Sequence, residues 1–381
     1  MMRAAGRAGA WLGLAIVAIA LAACSGTPKP KPTPLEPLAP QIGGRMVWSQ
    51  HIGKVEFPLQ VAVVQTASSG GTFTVASSDG TLLALQADTG AELWRASVGA
   101  PITAGVGSDG TTSAVVTRDN ELVAVESGRV AWRAKLGARV ATAPLVAGER
   151  VFVMSVDRIV YAYDARNGRS LWVLRRPSDP LTLSQAGVLT PFKDTLLAGQ
   201  GPKLAGVDPL HGTLRWEVAV ATPRGANEVE RLSDLLAPVA RIGDVVCARA
   251  FQNAVGCVNA QRGALVWTRK VGGMQGIAGD ARIVVGADGS DRITAWQTAN
   301  GELAWTNDRL LYRELSAPLV VGRTAIFGDI EGNVHFLAVE DGKPLLRLST
   351  DGSAVVAAPA LSDKTVLVVT RNGGLFAFRP E

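Results

Sequence analysis

Three cysteines and three histidines are the readiest sources of nucleophiles and metal ligands in this 381-residue chain. Cys24 closes an apolar run, where its sulfur could act as a nucleophile. Cys247 and Cys257 flank a predicted hairpin turn. An oxidising compartment would permit a disulfide between them, but by register they lie near each other without being clearly opposite, so two small buried thiols are the expected state. His51, His211 and His335 stand alone, without metal-ligand spacing, and read as turn or strand histidines. There is no Ser-His-Asp order and no zinc spacing. The expectation is a non-enzyme with no metal and no cofactor, whose covalent chemistry is confined to Cys24.

The segment around Cys24 explains why that thiol stands out. Arg3 and Arg7 form a short basic start, and an apolar stretch follows from Ala8 to Ala23. It is short for a membrane span, which needs about 20 apolar residues, and it ends in small residues, as secretory signals do. Leu21-Ala22-Ala23-Cys24 resembles the lipobox of bacterial lipoprotein signals. The resemblance implies cleavage before Cys24 and acylation of its sulfur. Ser25, where an Asp favours retention in the inner membrane, implies sorting to the outer membrane, on its periplasmic face. Residues 25–40 carry proline at almost every second position, which favours an extended polyproline tether of roughly 50 Å. The expected organisation is a signal at 1–23, a lipidated cysteine and tether at 24–40, and a globular body at 41–381.

Composition narrows the body. Forty-two glycines and 20 prolines with only 19% charged residues argue against a coiled coil, a helical bundle or a disordered acidic chain. The formal charge of +5 is partly the signal's: without Arg3 and Arg7, the 38 basic residues become 36 against 33 acidic ones, or +3. Arg175-Arg176 and Arg269-Lys270 are the densest basic pairs, and no basic stripe with aromatics suggests nucleic acid.

The body repeats. Gly-x-x-x-Trp recurs at Gly90–Trp94, Gly128–Trp132, Gly168–Trp172, Gly212–Trp216, Gly263–Trp267 and Gly301–Trp305, and Gly342–Leu346 replaces Trp with Leu. Successive anchors lie 38, 40, 44, 51, 38 and 41 residues apart, a period that suits a propeller blade or a helical repeat. Alternating apolar segments ending in Asp, Asn or Gly precede each glycine, so strands and tight turns are predicted. Further upstream come a second apolar run and a short strand often marked by Ala-Pro, at Ala143-Pro144, Ala237-Pro238, Ala317-Pro318 and Ala358-Pro359. Each repeat thus supplies four strands. Gly374–Arg379 matches a third strand with no fourth after it, and Met46-Val47-Trp48-Ser49 matches an orphan fourth strand. The reading is all-β: an eight-bladed propeller of four-stranded antiparallel blades, closed by pairing its N- and C-terminal strands. The tryptophans, each able to bury roughly 200 Å², are expected to wedge between blades. Trp296, on a third strand, falls outside this series.

Ala-x-Asp-x-x-x-Gly-x-x-x-Trp, clearest from Ala162 to Trp172, resembles the repeat of bacterial quinoprotein dehydrogenases, which hold pyrroloquinoline quinone and calcium on the propeller face. That resemblance implies the alternative function, a periplasmic quinone-dependent dehydrogenase. Such an enzyme should have a longer chain, an adjacent cysteine pair, and an Asp among Glu and Asn calcium ligands. Lipobox, tether and eight blades together resemble the BamB family, lipoproteins of the outer-membrane β-barrel assembly machinery. The resemblance covers the whole chain and implies a non-enzymatic scaffold that binds the insertase BamA and assists β-barrel insertion. Glu230-Arg231-Leu232-Ser233-Asp234 is similar to the family's acidic-Arg-Leu-Ser-Asp loop, and Pro180-Leu181-Thr182-Leu183-Ser184 to its Leu-x-Leu-Arg loop. Both loops are assigned to BamA binding, which singles out Leu181, Leu183, Arg231 and Asp234. Ser184 stands where the family carries Arg, and Leu236 where a second acidic residue is common. By residue chemistry alone, the two leucines could instead pack on their own blade, and Arg231 could pair with Asp234. Exposed strand edges could also take up an extended peptide by strand addition, such as an unfolded outer-membrane protein.

Overall fold

A computed structural model describes residues 30–381, apart from 58, 67–69, 177–180 and 224. The signal, Cys24 and Pro180 lie outside the described residues. From Thr33 onward the chain forms one compact unit.

Eight four-stranded antiparallel sheets account for the described strands. Blades 1 to 7 occupy residues 62–97, 107–135, 145–174, 189–219, 235–270, 278–307 and 319–349, and in each the four strands pair in chain order. Blade 8 takes three strands from 360–379 and its outermost one, Arg45–His51, from the other end of the chain. Arg45 pairs with Arg379 and His51 with Gly374. The ring therefore closes as expected from the orphan strands.

Middle strands are buried on both faces, as Leu82–Leu85 and Val123–Val125 show, because each is sandwiched between neighbouring blades. Fourth strands form the outer edge of each blade and are mostly exposed or half-buried: in Arg129–Lys135 only Trp132 is buried. Apolar clusters span blade pairs. Ala114, Val116 and Trp132 of blade 2 pack with Val151, Val153 and Tyr163 of blade 3.

The repeated tryptophan sits against the glycine of the next blade. A Cβ on Gly168 would fall 2.5 Å from the ring of Trp132, and one on Gly342 would fall 2.5 Å from that of Trp305. These glycines also hold φ near +72°, a left-handed turn that other residues enter at a cost. At Trp48, Trp132, Trp172, Trp267 and Trp305 the indole N–H also donates to a carbonyl of the next blade, for example Trp132 Nε1 to Ala165 O at 2.6 Å, Trp267 to Thr298 O at 2.8 Å and Trp305 to Val339 O at 2.8 Å. At the seam Leu346 takes this place, its Cδ2 2.7 Å from a Cβ built on Gly44. Gly44 with Trp48 is thus the eighth copy of the motif.

The alanine of the repeat has a cause too. Trp94, Trp132, Trp172 and Trp305 stand opposite Ala84, Ala124, Ala162 and Ala295 of the adjacent strand, Trp216 opposite Gly206, and Trp267 opposite Cys257. A small partner leaves room for the indole, and a register shift follows at each of these sites. Cys257 is also directly opposite Cys247, and the two form a disulfide. The expected pair of free thiols is corrected: the Ala250↔Ala254 pairing around the turn fixes a register that sets 247 against 257.

Residues 33–42, mostly read as tether from the sequence, lie along blades 6 to 8. Thr33 donates its N–H to Leu311 O and Gln41 to Leu345 O. Leu35 joins the core between blades 6 and 7, and Ile42 that between 7 and 8. Arg313 Nη1 donates to Thr33 O at 2.8 Å while its Nε donates to Asp329 Oδ2 at 2.8 Å. Asp329 is fully buried, and also accepts from His335 Nε2 at 2.9 Å and from the Asn333 N–H at 2.8 Å. Burial opposes its charge, but the bonds from His335, Asn333 and Arg313 outweigh that and hold its pKa at about 2. His335 is itself pushed down, chiefly by burial.

Candidate docking surface

Three connections meet on one face of the ring. The first is the turn between the second and third strands of blade 3, residues 155–159. Ser155 Oγ donates to the Asp157 carboxylate and to Ile159 O, and the Arg158 N–H closes the turn on Ser155 O at 2.9 Å. The second is the part of the passage from blade 3 to blade 4 that begins at Leu181. The third is the passage from blade 4 to blade 5, residues 225–234. There Glu230 folds the chain on itself: its carboxylate accepts from the Ala226 N–H and from Asn227 Nδ2, while its own N–H donates to Asn227 Oδ1.

Asp234 joins the three. Arg158 Nε donates to Asp234 Oδ1 at 2.7 Å, and the Leu183 N–H approaches Asp234 Oδ2 at 3.4 Å. The backbone of Asp234 is fixed as well, since its carbonyl accepts from the Phe251 N–H at 2.9 Å. The ion pair is largely shielded, with side-chain exposures of 11% for Arg158 and 16% for Asp234.

The structure thus brings Leu181, Leu183, Arg231 and Asp234 to one place, but in unequal roles. Leu181 and Leu183 are half-buried; Arg231 is exposed. Asp234 does not pair with Arg231, the partner open to it from sequence; its partner is Arg158, 76 residues away. No local spacing signals that pair. Ser184 is exposed, whereas Leu236 is buried and bridges Gly187. Val229, at 68% exposure, adds an apolar group on the outer rim of the third connection.

The clefts here measure about 30 Å³, between Leu183, Asp234 and Met154, and about 20 Å³, between Leu181, Arg231 and Pro202. Each has room for about one water. The surface therefore suits a protein partner rather than a metabolite: two half-buried leucines beside an exposed arginine, an apolar patch with a polar rim. A larger cavity of about 640 Å³ lies elsewhere and is lined mainly by aliphatic groups such as Leu59, Val63, Leu315 and Val356. Among the described residues no group of three or more His, Cys, Asp or Glu is gathered as a metal site.

Comparison with known proteins identifies the family. The family model described as outer membrane protein assembly factor BamB matches residues 40–102 and 78–307. The BamB of Burkholderia pseudomallei is 34% identical over 91% of each chain. This chain belongs to the BamB family. The crystal structure of BamB from Moraxella catarrhalis superposes with a TM-score of 0.78 at 21% identity, over 88% of this chain and 99% of that one. A quinohemoprotein alcohol dehydrogenase of Pseudomonas putida also superposes, at a TM-score of 0.65 and 13% identity, over 88% of this chain and 76% of that one. That likeness is one of fold alone. The relatives in sequence are named as assembly factors, not as enzymes.

Proposed function

We propose that this chain, an outer-membrane protein assembly factor by family, works as a scaffold that binds BamA at the face built from 181–184 and 225–234. The signal reading adds an acyl anchor on Cys24, which would hold the protein at the periplasmic side of the outer membrane. The observation that carries the docking assignment is the convergence of both loops, remote in sequence, around Asp234. Leu181 and Leu183 supply apolar contact, and Arg231 supplies charge-assisted hydrogen bonds. Assistance to barrel insertion follows from holding partners together, without bond-making chemistry of its own.

The experiment is capture of BamA from detergent-solubilised envelopes by the full, tagged chain. Leu183→Glu and Arg231→Glu are expected to cut recovery at least about tenfold, the scale of losing one interface anchor. Undiminished recovery with both variants, each still folded, would overturn the assignment.

A further inference from the structure

We propose that Arg158 is a positioning residue for the docking face, and that Asp234 acts inside the molecule as the other half of a latch rather than as a group the partner touches. The inference rests on the docking reading above.

Turn position sets Arg158 apart. The matching residue in blades 1, 2, 6, 7 and 8 is Gly80, Asn120, Asp291, Gly332 and Gly373, all at positive φ. Gly, Asn and Asp are the residues that enter this region readily. Arg158 holds φ +65° with a long cationic side chain. Strain of this kind persists where the surroundings enforce it, and here they do. Gln200 Nε2 donates to Arg158 O at 3.1 Å, and Gly201 faces the guanidinium: a Cβ there would come within 3.3 Å of its central carbon.

The pair is too shielded to count as an ordinary surface bridge, which contributes little. Removing either partner would leave the other poorly solvated and unpaired. What the pair secures is local. Asp234 presents one oxygen to Arg158 and the other to the Leu183 N–H, so the cation on blade 3 orients the carboxylate that holds the leucine segment. Asp291 shows the same device elsewhere: from the same turn position its carboxylate accepts from the Glu314 and Leu315 N–H groups and pins the connection between blades 6 and 7.

The test uses Arg158→Asn, which places blade 2's own residue in the turn, together with Asp234→Asn, the double variant, and Arg158→Lys. Hydrogen exchange at the Leu183 amide is read in the protein alone, and BamA capture in parallel. Each Asn variant should speed exchange and lower capture by about tenfold, as loss of a charge-assisted bond would. The double variant should cost no more than either single one, and Arg158→Lys should restore part of both. Loss of capture in Asp234→Asn alone, with exchange unchanged, would mean direct contact with the partner and would overturn the latch. Unchanged exchange in Arg158→Asn would overturn it too. Faster exchange with full capture would keep the latch and sink the docking assignment, so the two failures are distinguishable.

Discussion

Phe336 stands directly opposite Leu346, in the place where the seven other blades set Ala, Gly or Cys against Trp. The large and small partners have changed sides. Phe336 is 8% exposed and Leu346 5%, so the exchanged pair still fills the gap between blades. One bulky side chain paired with a small one is replaced by two of intermediate size, and both stay buried, the kind of compensated hydrophobic change cores tolerate.

A swap tests this directly. Phe336→Ala should cost about 3–5 kcal/mol, and Leu346→Trp alone about 1–3 kcal/mol through overpacking. The double change recreates the Ala–Trp pair and should cost less than Phe336→Ala alone. Urea unfolding of the four proteins gives the cycle; additive costs would show that the two side chains do not share one space.

Gly168→Ala probes the tryptophan seat. The new methyl meets Trp132 at 2.5 Å, and the residue must keep φ +72°. Left-handed backbone and overpacking together should cost about 2–4 kcal/mol. Gly148→Ala is the control, since it has a similar φ of +59° but open space around its Cβ. Thermal melts that fall equally for both would assign the effect to backbone alone.

The Cys247–Cys257 bridge closes a short loop, so its loss should cost about 2–3 kcal/mol. Cys247→Ala with Cys257→Ala should melt lower than the oxidised wild type and close to the reduced one. Thiol labelling of the denatured, unreduced protein should find neither cysteine reactive.

Acid should weaken blade 7 through Asp329. Its folded pKa of about 2 lies below the ordinary 3.8, so the unfolded chain takes up the proton first as pH falls. The stabilisation is complete above about pH 4 and lost between there and pH 2, roughly 2 kcal/mol in all. His335, pushed below 6.5, adds a loss in the same direction beginning near that pH. Urea midpoints measured from pH 7 to 2.5 should fall across both ranges. Asp329→Asn should be less stable at neutral pH yet flatter below pH 4; an unchanged acid slope would count against Asp329 as its source.

Much of this was legible from one spacing. Gly-x-x-x-Trp, with its Leu346 variant, implied seven blades, and the orphan strands at Met46–Ser49 and Gly374–Arg379 implied the eighth; the motif is so regular because its two ends meet in space at every boundary between blades. The Ala of the longer motif was legible only as a marker, because its reason lies across the strand at Trp. Gly44 escaped notice: its own seat is filled by Leu346, 302 positions further along the chain. The docking loops were readable from their resemblance to a family, but Arg158 was not. A turn residue on one blade and a carboxylate two connections later share no periodicity, and only folding brings them together. The cysteines failed for a different reason. Their register depends on where the turn at Gln252 begins, and composition leaves that open by one residue, enough to move a strand's side chains to the other face.

Arg45 and Arg379 lie side by side although almost the whole chain separates them. A polypeptide made from its N-terminus forward can therefore assemble blades 1 to 7 while Arg45–His51 waits without a sheet to join. Only when the final strand arrives does the waiting edge find its neighbour, at the largest loop-closure cost in the molecule. A chain cut short by a few residues would keep nearly all of its blades and still leave that edge exposed to other chains.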